Sequence, residues 1–177
     1  MHAEIVLPGH SLVVLVGASG SGKSTFAARW FSGSEILSSD AFRALVGRGE
    51  ADLGATRRAF AALHAALATR LAAGLPTVVD ATNIGMSDRR TVVRHAHAAG
   101  VPAVAIVLEA SLDECLAGDA ARPGRHVERS VVERQWNALH LQLERPHPFS
   151  GDGFASVHRL VGHTAARSAV VRREAAL

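Results

Sequence analysis

The residues best suited to chemistry lie in one short stretch, residues 17–24, with the sequence GASGSGKS. It has the G-x-x-x-x-G-K-S pattern of a phosphate-binding loop, and it follows an apolar run and precedes a helical pattern, as that motif requires. Its glycines let the backbone turn around a phosphate without Cβ collisions. Backbone N–H groups and the positive end of the helix dipole would then face the anion. We predict that a nucleoside triphosphate is bound by Gly17, Ala18, Ser19, Gly20, Ser21, Gly22, Lys23, Ser24 and Thr25.

Two side chains of this loop are expected to act directly on the triphosphate. Lys23 is the only lysine among the 19 lysine and arginine residues of the chain. A compact ammonium on a flexible stem suits a narrow loop better than the planar guanidinium of arginine does, so we predict that Lys23 reaches the β- and γ-phosphates. The hydroxyl of Ser24 is the expected protein ligand of Mg²⁺.

A carboxylate and a guanidinium follow the second predicted strand, in the stretch SSDAFR (38–43). Ligands of an open parallel sheet bind beyond the carboxyl ends of its strands, which places Asp40 opposite the phosphate-binding loop, on the acceptor side. There its carboxylate can take the proton of an attacking hydroxyl. Arg43 lies one helical turn further on, and a guanidinium beside the base favours an acceptor that carries its own phosphate.

An arginine-rich stretch, 119–129, follows the fourth predicted strand and its helix. It contains Arg122, Arg125 and Arg129. Arginines on a lid can neutralise the charge that spreads over a phosphoryl group during its transfer. We therefore predict a lid at about residues 111–145, with Arg122 and Arg125 as catalytic residues.

Short apolar runs alternate with helical patterns along the chain, which is typical of parallel strands joined by helical crossovers. The predicted strands are 11–17, 35–39, 76–82, 101–109 and 154–161. The predicted helices are 22–31, 55–73 with Gly74 at its C-cap, 87–100 with Ser87 at its N-cap, and two that begin at the capping boxes Ser111/Glu114 and Ser130/Glu133. The sequence predicts a three-layer α/β fold of the P-loop kinase type, with a mostly parallel five-stranded sheet.

Composition narrows the class of protein. The chain has 177 residues, of which 48% are hydrophobic and 20% charged, as expected for one globular domain that spans residues 1–177. No apolar run has the length of a membrane span, and the N-terminus lacks the pattern of a signal peptide. We therefore expect a cytoplasmic protein with no membrane partner. The single cysteine, Cys115, cannot form an internal disulfide.

Two classes of nucleotide-binding protein fit the sequence poorly. Guanine-specific GTPases use an Asn/Thr-Lys-x-Asp element, and the chain has no second lysine to supply it. ATPase motors and AAA⁺ rings usually need a longer chain and paired acids at the end of a strand, whereas Asp80 is a single acid followed by Ala-Thr-Asn. A phosphotransferase fits the small size and the arginine-rich lid better.

The combination of motifs resembles the 5′-hydroxyl polynucleotide kinase family, in particular the kinase module of bacterial end-healing enzymes. The resemblance covers about residues 11–161. It rests on GASGSGKSTFA (17–27), SSDAFR (38–43), VVDATNIGMSDRR (78–90), RPGRHVERSVVERQ (122–135) and GFASVHRLV (153–161).

This resemblance implies that ATP donates its γ-phosphate to the 5′-hydroxyl of DNA or RNA. Asp40 would be the general base, and Arg43 would hold the phosphate next to the 5′ end. The phosphates of ATP would be contacted by Lys23, Arg122 and Arg125.

The resemblance also implies a magnesium site and partner proteins. Ser24 would bind Mg²⁺ with Asp40 as a second contact, and Asp80 would lie nearby, through water. Members of the family often carry phosphatase or ligase modules, which we expect here to be supplied by separate partners. Gly118-Asp119 departs from the family, which tends to have an Arg-Asn or Asn-Arg pair before the lid arginines.

Two other functions remain open at this stage. A kinase of a small-molecule hydroxyl, on a sugar acid, an antibiotic or a nucleotide sugar, would share the loop and the lid. It is favoured by the scarcity of aromatic residues for base stacking, 5% of the chain with no tyrosine. A nucleotide-binding module without transfer activity would also keep the loop. The sequence does not distinguish DNA from RNA as acceptor.

Overall fold

The computed structural model describes residues 3–46, 56–124 and 126–175, which contain seven strands and seven α-helices. The strands are β1 (Glu4–Leu7), β2 (Leu12–Val16), β3 (Ile36–Ser38), β4 (Thr77–Asp80), β5 (Ala103–Glu109), β6 (Ser156–Val161) and β7 (Val170–Arg173). The helices are α1 (Lys23–Trp30), α2 (Ser39–Val46), α3 (Thr56–Ala72), α4 (Met86–Ala98), α5 (Leu112–Ala120), α6 (Arg129–Leu143) and α7 (Gly162–Ser168). A short 3₁₀ helix, Gly33–Glu35, precedes β3.

The main sheet has five strands in the order β3-β4-β2-β5-β6, and every neighbouring pair is parallel. The first of these strands in the chain, β2, lies at the centre, because the chain adds strands on one side of it and then on the other. The carboxyl end of β2 is therefore the point at which the strand order reverses, where ligands of such sheets bind. The predicted α/β fold with a five-stranded parallel sheet is confirmed.

Helices cover both faces of this sheet, which gives the predicted three layers. All five residues of β2 are buried, since alternate side chains point to opposite faces. Leu12, Val14 and Val16 pack in the core beneath α3, α4 and α6. Val13 and Leu15 pack on the other side, in the core formed with α1, α7 and the N-terminal strand.

A second, two-stranded sheet was not predicted from the sequence. β1 pairs with β7 in parallel, with Glu4 opposite Val170. In β1 exposed and buried residues alternate over only four positions, and the C-terminal residues show only an alternation of apolar and basic residues. Each strand is too short to indicate a sheet alone, and their pairing becomes visible only when both chain ends meet on one face of the protein.

Two of the predicted helix starts are wrong. Helix α4 begins at Met86 with Gly85 at its N-cap, so Ser87 lies within the first turn. Helix α6 begins at Arg129 with Glu128 at its N-cap and no side-chain cap. Glu133 is instead held by an ion pair one turn back, 2.7 Å from Arg129 Nε, and is therefore unable to complete a capping box.

Other helix ends are as predicted. Ser111 and Glu114 form a reciprocal capping box at the start of α5. Gly74 follows α3 with a left-handed φ of 68°, the conformation that glycine adopts most readily. The predicted start of α3, Ala55, lies outside the described residues.

A buried arginine joins two loops near the site. Arg89 is 1% exposed, and its Nε donates to Asp152 Oδ2 at 2.5 Å. Its Nη1 donates to the carbonyl oxygens of Asn83 and Ile84, and its guanidinium lies 4.0 Å from the ring centroid of Phe149. The loop after β4 is thus fastened to the loop before β6.

Replacing Arg89 by Met should destabilise the protein by about 3–5 kcal/mol, because Asp152 would keep a buried charge without its partner. The neighbouring Arg90→Met is the matched control. Arg90 lies 3.8 Å from the other oxygen of Asp152, but its side chain is 46% exposed, so its loss should cost below about 1 kcal/mol. Urea unfolding of the two variants measures both values. Equal losses would contradict the role given to Arg89.

Candidate active site

The phosphate-binding loop connects the central strand β2 to helix α1, as predicted. Gly20 and Gly22 have left-handed φ angles of 76° and 93°, and Gly22 is the N-cap of α1. Ser24 and Thr25 are exposed in the first turn of that helix. The loop therefore directs the N-terminus of α1, with the backbone N–H groups of its first turn, into the cavity described below.

The loop packs so tightly that glycine is required for reasons of space as well. A Cβ on Gly17 would lie 2.4 Å from Ser21 Oγ. A Cβ on Gly20 would lie 1.8 Å from the carbonyl oxygen of Cys115, and one on Gly118 would lie 2.2 Å from the carbonyl oxygen of Gly20. The backbone of the loop thus rests directly on the backbone of α5.

Cys115 lies beneath the loop in a small apolar cluster. It is 1% exposed and packs with Ala18, Ala110 and Val132. Burial raises the pKa of its thiol to about 11, more than the nearby Lys23 ammonium lowers it. The thiol is therefore a packing group at neutral pH.

Lys23 is folded over the loop. Lys23 is only 8% exposed, and its Nζ donates hydrogen bonds to the carbonyl oxygens of Gly17 at 2.9 Å and Ala18 at 2.8 Å. Ser21 Oγ lies 3.4 Å from the same nitrogen. The ammonium is thus held by oxygen acceptors of the loop, which phosphate oxygens can replace as its hydrogen-bond partners.

Asp40 lies between two arginines from different parts of the chain. It is in the first turn of α2, where its Oδ1 accepts a hydrogen bond from Arg43 Nη2. Its Oδ2 lies 3.2 Å from Arg122 Nη2, in the loop after α5. The side chain of Asp40 is 14% exposed and that of Arg43 is 7% exposed, so this ion pair is largely removed from water.

A cavity of about 840 Å³ contains most of the predicted site. The loop residues Ser19 to Thr25 line it together with Asp40, Arg43, Asp80 and Arg122. Asp40 and the phosphate-binding loop therefore line one open space. Asp80 ends β4, is 6% exposed, and lies in register with Ser38 of β3 and Leu15 of β2.

The predicted lid consists of two helices and a loop. Helices α5 and α6 occupy most of residues 111–145, and residues 121–128 join them. Arg122 in that loop reaches the cavity, and Arg129 is an exposed residue of α6 that pairs with Glu133. Arg125 lies outside the described residues.

The departure at Gly118-Asp119 has a structural cause. Gly118 is where α5 touches Gly20, as described above. Asp119 is 4% exposed, and its Oδ2 accepts a hydrogen bond from Val127 N at 2.9 Å. The carboxylate thus closes the arginine-bearing loop back onto α5, and it is absent from the cavity lining that the described residues form.

Sequence analysis missed the residues that hold the loop from behind. Asn83 Nδ2 donates to the carbonyl oxygen of Leu15 at 2.7 Å, and Gly17 N donates to that of Thr82 at 3.0 Å. Gln135 Oε1 accepts from Ser19 N at 2.9 Å. Asn83 has a positive φ of 49°, which asparagine tolerates. Its place directly after the predicted strand 76–82 could have indicated a turn with a left-handed residue.

The fold and this loop define a P-loop protein of the kinase type, with a nucleotide-binding cradle that supports phosphoryl transfer. Residues 12–146 match the family described as "AAA domain", and the chain belongs to this family of P-loop kinases. The family shares the AAA name with the ring ATPases that the sequence disfavoured, but the fold here is that of the kinases. A comparison with curated proteins finds no significant sequence match.

Solved structures with the same fold include proteins of different activity. A chain of the Pnkp1/Rnl/Hen1 RNA repair complex is 22% identical with a TM-score of 0.61, over 84% of this chain and 48% of that one, so the present chain spans about half its length. A gluconokinase from Sinorhizobium meliloti 1021 is 19% identical, with a TM-score of 0.54, over 91% and 90% of the two chains. Chaetomium thermophilum Kti12 in complex with ADP-AlF3 is 20% identical, with a TM-score of 0.60, over 88% and 93%.

Across residues 3–46, 56–124 and 126–175, no helix combines the length and the apolar character that crossing a membrane requires.

The contact between Gly118 and Gly20 leads to a prediction about nucleotide binding. Gly118→Ala would place a methyl group against a backbone oxygen, which forces α5 away from the loop at a cost of about 1–3 kcal/mol. We expect a lower melting temperature and weaker ADP binding by calorimetry. Gly33→Ala is the control, because a Cβ there meets no atom within 4 Å. Unchanged ADP affinity in the Gly118 variant would show that the contact does not shape the cradle.

Proposed function

We propose that the protein transfers the γ-phosphate of ATP to the 5′-hydroxyl of a polynucleotide. The observation that carries this proposal is the place of Asp40. It lines the same cavity as the phosphate-binding loop, and its carboxylate is paired with Arg43 on its own helix and with Arg122 in the loop after α5. An acid, a phosphate cradle and a lid arginine are the parts that in-line transfer to a hydroxyl requires.

The donor side would hold the phosphates of ATP with backbone groups and one ammonium. The N–H groups from Gly20 to Thr25 would surround the β-phosphate, and Lys23 would exchange its carbonyl partners for phosphate oxygens. Arg122 can bond either Asp40 or a phosphate oxygen. Arg125 is proposed for the same role from the sequence pattern alone.

The residues present fit a magnesium ion. The hydroxyl of Ser24 and the carboxylate of Asp80 both line the cavity, and the described residues contain no cluster of three or more His, Cys, Asp or Glu side chains. Mg²⁺ commonly takes one or two protein oxygens and completes its shell with water and substrate phosphates. Ser24 would hold the ion, with Asp80 or Asp40 as a further contact. When bound, it would neutralise charge on the phosphates.

In the proposed step, the acceptor hydroxyl gives its proton to a carboxylate oxygen of Asp40 as its own oxygen attacks the γ-phosphorus. The bond between that phosphorus and the β,γ-bridging oxygen breaks, and ADP leaves. Arg43 would hold the carboxylate in orientation. Because Arg43 also lines the cavity, its guanidinium is proposed to bind the phosphate that follows the 5′-terminal nucleoside.

A small-molecule hydroxyl is the second candidate acceptor. Among the described residues, Phe26, which is 3% exposed, and Phe60 are the Phe, Trp or Tyr side chains that line the cavity, together with His126 and His163. A wall with one accessible phenyl ring offers little of the phenyl or indole stacking that binds nucleic acid bases. The chain also shares its fold with a gluconokinase, so a sugar or sugar acid belongs in the same assay.

The experiment is transfer of labelled phosphate from ATP to 5′-hydroxyl DNA, 5′-hydroxyl RNA and a panel of small hydroxyl compounds including gluconate. Transfer to an oligonucleotide that weakens steeply with rising salt supports the proposal. Transfer confined to a small molecule supports the second candidate. Tight ATP binding without transfer to any acceptor would indicate a nucleotide-binding module.

Asp40→Asn should lower kcat about 10²- to 10⁴-fold, because the amide cannot take the proton of the acceptor. The KM for ATP should change far less than kcat, since the amide oxygen of asparagine can still accept a hydrogen bond from Arg122. Asp113→Asn is the matched control: it removes an exposed carboxylate from the first turn of α5, outside the cavity. Steady-state kinetics on both variants measures the difference. Full activity of the Asp40 variant would exclude its role as base.

A further inference from the structure

Gln135 of the lid helix α6 is attached to the phosphate-binding loop by its side chain. Its Oε1 accepts a hydrogen bond from the backbone N–H of Ser19 at 2.9 Å, across 116 residues of sequence. A backbone N–H can only donate, so the oxygen of the amide must face Ser19, and the orientation of the side chain is unambiguous.

The peptide unit that Gln135 binds also holds the lysine. The carbonyl oxygen of Ala18 and the N–H of Ser19 belong to one peptide bond. Lys23 Nζ donates to that carbonyl at 2.8 Å, while Gln135 accepts from that N–H. Because a peptide bond is planar, a rotation of this unit would break both hydrogen bonds together.

The helix that carries Gln135 is itself fixed on either side of this residue. Val132, one turn earlier, is fully buried against Ala18, Ala110 and Cys115. Trp136, the next residue, donates from Nε1 to the carbonyl oxygen of Ala110 at 3.0 Å. Gln135 is thus held on a rigid element, unlike a residue in the loop that bears Arg122.

From this chain of contacts we propose that Gln135 is a positioning residue for Lys23, which it orients through the Ala18–Ser19 peptide. The inference deepens the nucleotide-binding part of the proposed function and is independent of which hydroxyl is the acceptor. The hydrogen bond from Ser19 also connects helix α6 to the phosphate-binding loop, so the orientation of the helix and the shape of the loop depend on each other.

Two variants of similar size distinguish the effect of the hydrogen bond that Gln135 accepts from the effect of its packing. Gln135→Glu keeps an oxygen for the Ser19 N–H, whereas Gln135→Met keeps the length of the side chain and loses the acceptor. Asn137→Ala is the control, because Asn137 is an exposed amide on the same helix and lies outside the cavity. Melting temperatures establish that each full-length variant is folded.

The first measurement needs neither nucleotide nor acceptor. Lys23 is the only lysine, so its acylation by an amine-reactive ester can be followed by mass spectrometry of a single peptide. We expect acylation about three- to tenfold faster in Gln135→Met, and hydrogen exchange of the Ser19 amide about tenfold faster, since one hydrogen bond is lost. Gln135→Glu and Asn137→Ala should match the native protein in both.

The second measurement is the affinity for ADP, which should be about three- to tenfold weaker in Gln135→Met. Native Ser19 exchange and native Lys23 acylation in that variant would overturn the proposal, as would a Glu variant that matches the Met variant in those two local probes. Weaker ADP binding with both local probes unchanged would also overturn it, because Gln135 would then act on the nucleotide directly. Absence of transfer to polynucleotides would refute the acceptor assignment and leave these outcomes intact.

Discussion

The backbone of Gly20 lies against the backbone of α5, and no side chain separates them. Such an approach is available only to glycine, and here both surfaces supply one, at Gly20 and Gly118. The phosphate-binding loop therefore takes its shape from the helix that leads into the lid, as well as from the strand and helix that it joins. Asn83 and Gln135 add hydrogen bonds from two further elements. A loop that must meet a ligand with its backbone amides is thus supported from behind by groups far apart in sequence.

The pairing of Asp40 with arginines joins the two halves of the site. The hydrogen bond with Arg43 is local to one helical turn, whereas the contact with Arg122 spans 82 residues and joins the loop after α5 to helix α2. Both oxygens of this carboxylate are thus held by guanidinium groups that come from different elements. Arg122 also lines the cavity that would hold the triphosphate, so its guanidinium can interact with charge on either side of that cavity.

Much of the fold and part of the site could be predicted from the sequence, because their signals are local. A run of five aliphatic residues, a glycine-rich loop and an Asp–Arg pair one turn apart are each set by neighbouring residues. The remaining features depend on contacts between distant residues. Arg89 meets Asp152 across 63 residues, and Gln135 meets Ser19 across 116. The two misplaced helix starts have a local origin instead. Ser87 and Ser130 satisfy the pattern of a cap, but each helix begins one residue before its serine, after an N-cap residue that forms no side-chain cap.

The position of Cys115 beneath the loop has a practical consequence. Its thiol is enclosed by the loop and by α6, and at pH 7–8 it is almost entirely protonated because burial raises its pKa to about 11. Thiol-reactive dyes should therefore spare the native protein, whose only cysteine this is. A cysteine introduced on the surface could then be labelled selectively without first removing the natural one. The slow rate at which Cys115 itself reacts would report how often the phosphate-binding loop separates from α5.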